Sequence, residues 1–572
     1  RYSYILERRV LQVIPAVIDE ETTGHVPAAM LEELTNCMQQ RRIGEGIELL
    51  RQEYPRFQQL KPNQKHAGWA IGCLAQWIDI GFVDDGVLLQ VLARFDHGAK
   101  HQLLLGDYLH LKLAEALAAM RAEELITAIG HLDLVMALGA ETGDTRTALI
   151  ATLWKARCLR KAGEYRQALD VTRQGMRVAA QLGLSPMKAV MQTLESWIVF
   201  QDGQAKEAIR ILQEAEAVLR ETDDFITLGN IQSAYGRIAL REGRYNHAMQ
   251  YFEASVEYFK HRDSLLGYRA RSLTNMAQAK RFLALQLRRS IDARWERQRR
   301  QKTAGERGES KSKAAQLERM YELLRSAQAD LAEADRIYKA SQNHHGAGNT
   351  DVSLAQIYLD LGHLEQAEER ANEAFDLGAS KADYVLLCRA RIVQATVANA
   401  RYEDEVGEGE DSSHFAQLAH DCSKEAIDYG ERTQNRRLLA QAHISHGLTL
   451  VNGFFSQADA ARACCDRAET YLDHDRHDAL WGEVEILRER ISHGGVEDPN
   501  LRAWSQGSVG DKSLQDVVGQ FEEMLVRKVW EHEGRKVSRV ASRLAVSPKK
   551  VRRILRHLGV LLESASGSED SD

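Results

Sequence analysis

Proline is scarce in this chain. Only seven of the 572 residues are proline, and none lies between residues 187 and 498. Proline lacks a backbone N–H and clashes with the preceding helical turn, so a long stretch without it is free to be helical throughout. With 44% hydrophobic and 27% charged residues, the composition is that of a folded globular protein. We therefore predict an all-α fold.

Cysteine is equally scarce. The seven cysteines are scattered, and no Cys-x-x-Cys spacing occurs, which excludes a disulfide framework and indicates buried, reduced thiols. The chain also lacks a run of eighteen apolar residues and a charged-then-apolar leader. Neither a membrane span nor export is predicted, and we expect a cytoplasmic location.

Motifs of catalysis are missing as well. The patterns G-x-x-x-x-G-K-[ST], G-x-S-x-G and H-E-x-x-H do not occur, so phosphate-loop, nucleophile-elbow and metalloprotease chemistry have no support. Histidine pairs such as His344 with His345, or His474 with His477, are better explained as solvated loop residues than as metal ligands. We expect that the chain is not an enzyme and holds no cofactor and no metal.

A forty-residue period runs through the chain. The segments KAGEYRQALDV, QDGQAKEAIRI and REGRYNHAMQY each place an alanine five residues after a glycine. Each copy predicts two amphipathic helices joined at the glycine, with the alanine where the helices cross. The positions in this pattern, including a later copy in LGHLEQAEERANEAF, are Ala128, Gly163, Ala168, Gly203, Ala208, Gly243, Ala248, Gly362 and Ala367.

These repeats resemble the tetratricopeptide repeat family in a form with a period of about forty residues. The resemblance implies a superhelix of helix pairs whose concave face binds a protein, a peptide or a small ligand. We predict repeats over residues 30–287 and 321–491. Residues 1–29 form an N-terminal segment, and because the chain begins with Arg1 inside a helical pattern, the end of an upstream domain is one interpretation of it.

Two irregular segments interrupt the repeats. Residues 288–320 form a basic insert, with ten Lys/Arg against four Asp/Glu between 288 and 313. It is interpreted either as a solvated helix extension and loop or as a second nucleic-acid contact. The acidic stretch from Tyr402 to Ser413 is predicted to be an exposed loop.

Positive charge is concentrated near the C-terminus. A Gly- and Ser-rich linker at 492–513 precedes it, and an acidic tail at 561–572, predicted to be disordered, follows it. Residues 512–560 contain twelve Lys/Arg and five Asp/Glu, a local charge of +7, whereas the whole chain carries −7. The rest of the chain therefore sums to −14, and this segregation is typical of a small nucleic-acid-binding domain attached to an acidic body.

Three helices are predicted in the domain at 514–560, over residues 514–533, 537–544 and 548–558. Ser547 is a natural N-cap and Pro548 occupies the first helical position. The pattern SRVASRLAVSPKKVRRILRHLGV resembles the Fis-type helix-turn-helix found in the factor for inversion stimulation and in bacterial enhancer-binding activators. Two features depart from that family: an extra residue between Gly534 and Ser538, and Ala545 where glycine is common.

The resemblance implies that the domain binds double-stranded DNA as a homodimer. The residues implied to face DNA are Ser538, Arg539, Ser547, Lys549, Lys550, Arg552, Arg553, Arg556 and His557. The apolar surface of the leading helix is wider than one buried face requires, and the candidate dimer seam consists of Leu514, Val518, Phe521 and Leu525.

Two functions follow from this organisation. The first is a bacterial-type transcriptional regulator, in which the tetratricopeptide-like repeats sense a protein, peptide or small ligand and the C-terminal domain binds DNA. The alternative is a protein-interaction scaffold, or the receptor half of a larger NTPase switch whose catalytic domain precedes residue 1.

Overall fold

The structure is a computed structural model that describes residues 25–84, 86–261, 266–301, 306–341, 343–408, 412–433, 435–493, 512–558 and 560. Residues 1–24 of the predicted N-terminal segment, residues 494–511 of the predicted linker and the whole predicted tail at 561–572 lie outside the described residues. Within the described part the regular elements are all helices, so the all-α prediction is confirmed. Packing divides the chain into two compact units, one running to Ile357 and including Asp473–Ala479, the other comprising Tyr358–Leu472 and the chain from Leu480 onward.

The described helices are numbered in chain order across both units. Helices α1 to α16 are Ala28–Gln39, Ile43–Gln58, Ala67–Asp79, Val87–Leu92, His97–His101, Leu105–Arg121, Leu125–Thr142, Thr145–Lys161, Tyr165–Gln181, Ser185–Gln201, Ala205–Leu219, Phe225–Arg241, Tyr245–Lys260, Leu266–Gln301, Glu306–Ala340 and His344–Asp360. Helices α17 to α25 are Leu364–Lys381, Tyr384–Glu408, Ser413–Glu431, Arg436–Leu450, Ala458–Leu472, Trp481–His493, Leu514–His532, Val537–Arg543 and Pro548–His557.

Helix starts repeat every forty residues in the first unit. The first helices of the pairs begin at 105, 145, 185 and 225, and the second helices begin at 125, 165, 205 and 245. Helices α6, α8, α10 and α12 each contact the next even-numbered helix, as far as α14, so these five helices form one continuous layer, named here the even-helix layer. The helical repeats are tetratricopeptide-like, as the sequence period predicts.

Turn glycines and packing alanines occupy the positions that the period marks. Gly163, Gly203, Gly243 and Gly362 adopt positive φ between 73° and 85°, a conformation that costs glycine little. The marked alanines in the following helices are fully buried, and they are Ala128, Ala168, Ala208, Ala248 and Ala367. A methyl group at each crossing lets the two helices of a pair approach closely.

Gly236 gives a test of this close packing. A methyl group added at Gly236 in α12 would lie 2.6 Å from the Phe252 ring of α13, which is fully buried. We expect Gly236→Ala to lower the free energy of unfolding by about 1–3 kcal/mol through overpacking, measured by urea unfolding. Gly130→Ala is the matched control, because Gly130 also lies within a helix but has no atom within 4 Å of the added methyl; it should be neutral or stabilising. Equal effects at both sites would contradict the packing argument.

The first five helices differ from the predicted repeats. Helices α4 and α5 contain only six and five residues, and the forty-residue spacing begins at α6 rather than at residue 30. The reason is α3, which is apolar on nearly every face and is contacted by α1, α2, α4 and α6. A helix that is hydrophobic all round becomes the centre of a bundle instead of one member of a stacked pair.

The basic insert is helical over its described residues, as its interpretation as a helix extension predicts, whereas the acidic segment differs from its prediction as an exposed loop. The basic insert contains the end of α14 and the start of α15, helices of 36 and 35 residues that pack against each other. Its composition, rich in Arg, Lys, Glu, Gln and Ala, favours helix. The acidic segment begins inside α18, and Tyr402 is buried with its ring centroid 6.4 Å from that of Phe454.

Two buried arginines link distant parts of the first unit. Arg41, in the turn before α2, donates from Nε to Asp224 Oδ2 at 2.7 Å, and both side chains are at most 4% exposed. The adjacent Asp223 carboxylate accepts from the backbone N–H groups of Ile43 and Gly44, where the α2 dipole favours a negative charge. Arg241 lies 3.0 Å from an Asp478 carboxylate oxygen in the same way.

One described helix, α7, has the length and apolar composition that would allow it to cross a membrane. Its buried residues all lie on one face, as expected of the second helix of a repeat pair, and they are Ala128, Leu132, Val135 and Gly139. This arrangement is ordinary for a helix packed on one side in a repeat array.

Candidate nucleic-acid interface

The C-terminal three helices enclose a small core of their own. The C-terminal half of α23 contributes Val526 and Trp530, which pack with Val540 of α24 and with Val551 and Leu555 of α25. All five are buried, and the same periodicity that makes these positions apolar leaves the remaining faces of α24 and α25 polar. The core therefore decides which side of α25 points outward.

Backbone turns set the start of α24 and α25. Gly534 and Arg535 have φ of 65° and 62°, so the extra residue relative to the Fis-type pattern lies in a left-handed turn before α24. Ala545 has φ 49°, which gives the turn between α24 and α25 the left-handed conformation that glycine adopts more easily. The Ser547 hydroxyl then accepts from the Lys550 backbone N–H at 3.2 Å and caps α25.

The outward face of α25 carries a row of exposed cations. Lys549, Arg552, Arg553 and Arg556 are exposed, and none has a carboxylate partner among the described residues. Their spacing of three and four residues places them on one side of the helix. We name these four residues the basic stripe.

Other predicted DNA-facing residues flank the basic stripe. Ser538 and Arg539 are exposed at the start of α24, and Ser547 is exposed at the start of α25. Each lies at or near a helix N-terminus, where backbone N–H groups favour an anion such as a phosphate. The surface as a whole therefore offers hydrogen-bond donors and positive charge to an anion.

Two predicted DNA-facing residues also pair with carboxylates inside the domain. Lys550 Nζ lies 2.7 Å from Glu522, and His557 Nδ1 lies 2.7 Å from Glu523, both on α23. These pairs link α25 to the leading helix, while the side chain of His557 remains 76% exposed and that of Lys550 36% exposed. Sequence matching missed Glu522 and Glu523 because their partners lie 28 and 34 residues away.

The candidate dimer seam is exposed in the single chain. Leu514, Val518, Phe521 and Leu525 are 79%, 48%, 42% and 40% exposed. Their spacing of four, three and four residues forms one stripe along α23, as in the seam of a coiled coil. No residue of α23 before Val526 is buried, so this half of the helix adds nothing to the core of its own domain.

The repeats of the second unit contain a cavity of about 200 Å³ lined by Arg391, Arg401 and Phe415 among others. Arg391 pairs with Glu425 at 2.8 Å, and Arg401 pairs with Glu368 at 2.6 Å. Its cations are therefore already neutralised by neighbouring carboxylates.

One group of side chains in the described residues has metal-ligand spacing. Ligand atoms of Glu33, Cys37 and Glu45 lie within 4.8 Å of one another. Arg42 pairs with both carboxylates at 2.7 Å, and burial raises the pKa of the Cys37 thiol to about 12. Since metals bind the thiolate, this chemistry favours an ion-paired cluster over a metal site. All seven cysteines are free and buried.

The sequence matches no family model and no curated protein. Solved structures with similar helical repeats include the apo form of RapI, with 12% identity over 60% of this chain and 99% of that chain and a TM-score of 0.38. The apo form of the quorum sensor NprR from B. thuringiensis has 16% identity over 61% of this chain and 97% of that chain, with a TM-score of 0.37. A signal transduction ATPase from Pyrococcus horikoshii with a tetratricopeptide repeat sensor has 13% identity over 72% of this chain and 55% of that chain, with a TM-score of 0.41.

Proposed function

We propose that this chain is a cytoplasmic, non-enzymatic DNA-binding regulator. Its tetratricopeptide-like repeats bind a protein, peptide or small ligand, and its C-terminal helix-turn-helix binds double-stranded DNA as a homodimer. The single observation that carries the proposal is the basic stripe on α25, whose four cations have no carboxylate partner among the described residues. Basic residues on a protein's own surface commonly pair with acids, as Lys550 does here, so an unpaired row is suited to phosphate contacts.

The geometry of α25 supports major-groove docking. The helix spans ten residues, about 15 Å in length, and a B-DNA major groove admits one α-helix. With Lys550 and His557 paired to Glu522 and Glu523, the unpaired cations of α25 assigned to DNA are Lys549, Arg552, Arg553 and Arg556. Arginine pairs bidentately with guanine, whereas the other contacts hold phosphates.

The exposed seam on α23 supports dimerisation. A single module of this size binds DNA weakly and without selectivity, in the range of about 10⁻⁴ to 10⁻⁶ M at physiological salt. Two copies joined along α23 would present two recognition helices, which reach successive major grooves when they are about 34 Å apart. A ligand in the repeats that changed this separation would regulate DNA binding.

The experiment that tests the proposal is selection of DNA by the full chain. Purified protein would be mixed with random-sequence and genomic fragments at several salt concentrations, and the retained fragments sequenced. We expect enrichment of particular fragments, with affinity falling as salt rises because counterions are released from the DNA. Failure to bind DNA at low salt would contradict the proposal and would assign the basic stripe to a protein partner.

The seam predicts the outcome of one substitution. Phe521→Asp places a charge in the middle of the apolar stripe, and we expect the molar mass measured by light scattering to fall from that of a dimer to the 64.4 kDa of one chain. DNA affinity should fall about a hundredfold or more because the two modules no longer bind together. Gln515→Asp makes the same charge change on an exposed residue of α23 outside the apolar seam. It should leave both the molar mass and the DNA affinity unchanged. A Phe521→Asp dimer with full DNA affinity would refute the seam.

A further inference from the structure

The even-helix layer of the first unit carries a row of arginines. Arg157, Trp197 and Arg237 lie forty residues apart, at the same position of α8, α10 and α12. Since these helices contact one another in succession, their equivalent positions align along the layer. Arg160 lies one turn beyond Arg157, and Arg271 lies on α14, the next helix of the layer. We name Arg157, Arg160, Arg237 and Arg271 the arginine row.

The members of the arginine row form no ion pairs among the described residues. None of its four members has a carboxylate within ion-pair distance among the described residues. The Nε atoms of Arg160 and Arg237 are buried and make no hydrogen bond. Other buried arginines of the same unit behave differently, because Arg41 and Arg241 each lie against an aspartate.

The members of the row repel one another. Burial, followed by the charges of Arg271 and Arg160, lowers the pKa of Arg237 to about 9. Burial, followed by the charges of Arg157 and Arg271, lowers the pKa of Arg160 to about 10. Arg160 and Arg237 therefore remain protonated at neutral pH, although neither forms an ion pair with an acid among the described residues. Such an arrangement is unfavourable for folding and is characteristic of functional sites.

Aromatic rings orient the guanidinium groups. The guanidinium carbon of Arg160 lies 4.8 Å from the Trp197 ring centroid, and that of Arg271 lies 5.4 Å from the Tyr268 ring centroid. Stacking uses the flat face of a guanidinium and leaves its N–H edge available for a forked contact, although one N–H of Arg271 already donates to Asn230 Oδ1 at 2.5 Å. Arg157, Arg160 and Arg237 are half-buried, so part of each residue is open to solvent.

We propose that the arginine row binds a compact oxyanion ligand that carries at least two negative charges, as phosphate or carboxylate groups. Planar guanidinium groups pair bidentately with both kinds of oxyanion, and the bound charge would replace the missing counter-ions. The cavity of the second unit is unsuited to this ligand, because its arginines are already paired. The inference rests on the proposed function, since it names the chemical class of ligand that the repeats would sense.

Calorimetric titration of the full chain tests the binding, in a low-salt buffer free of phosphate and sulfate. The probes are sodium pyrophosphate, which represents a phosphate ligand, and citrate, which represents a carboxylate ligand. We expect at least one to bind, and Arg237→Gln to weaken it about tenfold to a hundredfold through loss of a charge-assisted contact. Arg166→Gln removes an exposed arginine of α9 and should have no effect. Binding of neither probe would overturn the proposal.

Thermal unfolding separates a ligand site from a structural role. Without a probe, Arg237→Gln should raise the midpoint temperature, because an unpaired cation is removed, and should abolish the rise that the probe causes in the wild type. Arg160→Gln is the second variant, with the same expectation. A lowered midpoint in both variants would assign the row a structural role and overturn the proposal. Probe binding should persist in an Arg552→Ala/Arg553→Ala variant. A failure of the oxyanion proposal can therefore be distinguished from a failure of the DNA-binding proposal.

Discussion

The Arg552→Ala/Arg553→Ala variant should lose selective DNA binding while it keeps its fold. Both side chains are exposed on α25 and lie outside the hydrophobic core of the C-terminal domain. Each DNA contact of this kind contributes about 1–3 kcal/mol, so the loss of two predicts at least about thirtyfold weaker binding for each chain. The slope of log affinity against log salt should fall by about one for each phosphate contact removed.

A matched control distinguishes this site from net charge. Lys61→Ala/Lys65→Ala also removes two positive charges, at exposed positions of the first unit. This control should change neither the enriched DNA fragments nor the slope of log affinity against log salt. Circular dichroism should give the same spectrum for both variants, because both keep their fold. Equal losses in both would show that overall charge, and not the basic stripe, drives the binding.

The Arg41→Met variant should lose much of the stability of the first unit. Arg41 is 3% exposed and Asp224 is fully buried, so the substitution leaves the carboxylate buried without its cation. Breaking one partner of a buried pair costs about 3–5 kcal/mol. Arg42→Met is a neighbouring control, because Arg42 is 39% exposed and its pairs with Glu33 and Glu45 lie at the surface; it should cost less than about 1 kcal/mol. Urea unfolding at pH 7 measures both.

The loss of stability caused by Arg41→Met should depend on pH. Burial raises the pKa of Asp224, but the charge and hydrogen bond of Arg41 together with Thr227 outweigh it, and the net pKa is lowered. In the wild type this group therefore stabilises the fold above its unfolded pKa, and that contribution is lost as pH falls through the folded pKa.

In the variant the effect of burial remains without Arg41, and the pKa of Asp224 should rise above its ordinary value. The destabilisation should then be largest at pH 7–8 and smaller near pH 4, where the carboxyl group is protonated. Urea unfolding at both pH values measures it. A loss independent of pH would show that Arg41 acts through packing alone.

Local patterns predicted much of the C-terminal domain. Ser547 and Pro548 mark the start of α25, because capping and a fixed φ depend only on neighbouring residues. The spacing of Leu514, Val518 and Phe521 likewise indicated a stripe that the domain's own core does not use. These features repeat at helical or turn spacing, so one sequence is enough to find them.

Contacts between distant segments were not predictable in the same way. Lys550 pairs with Glu522, although both residues look like ordinary surface charges in the sequence. The bundle around α3 replaced predicted repeats for a related reason, since an apolar helix does not specify how many neighbours surround it.

The sequence by itself determined the helical content, the forty-residue period and the segregation of positive charge, because proline content, periodicity and composition act over short distances along the chain. Only the tertiary structure decided which charges are neutralised. Arg41 and Arg237 are both largely shielded from solvent in the first unit. Arg41 lies against Asp224, whereas Arg237 forms no ion pair and lies near other arginines. That difference depends on which side chains packing brings within a few ångströms, and it separates a residue that holds the fold together from one that is available to a ligand.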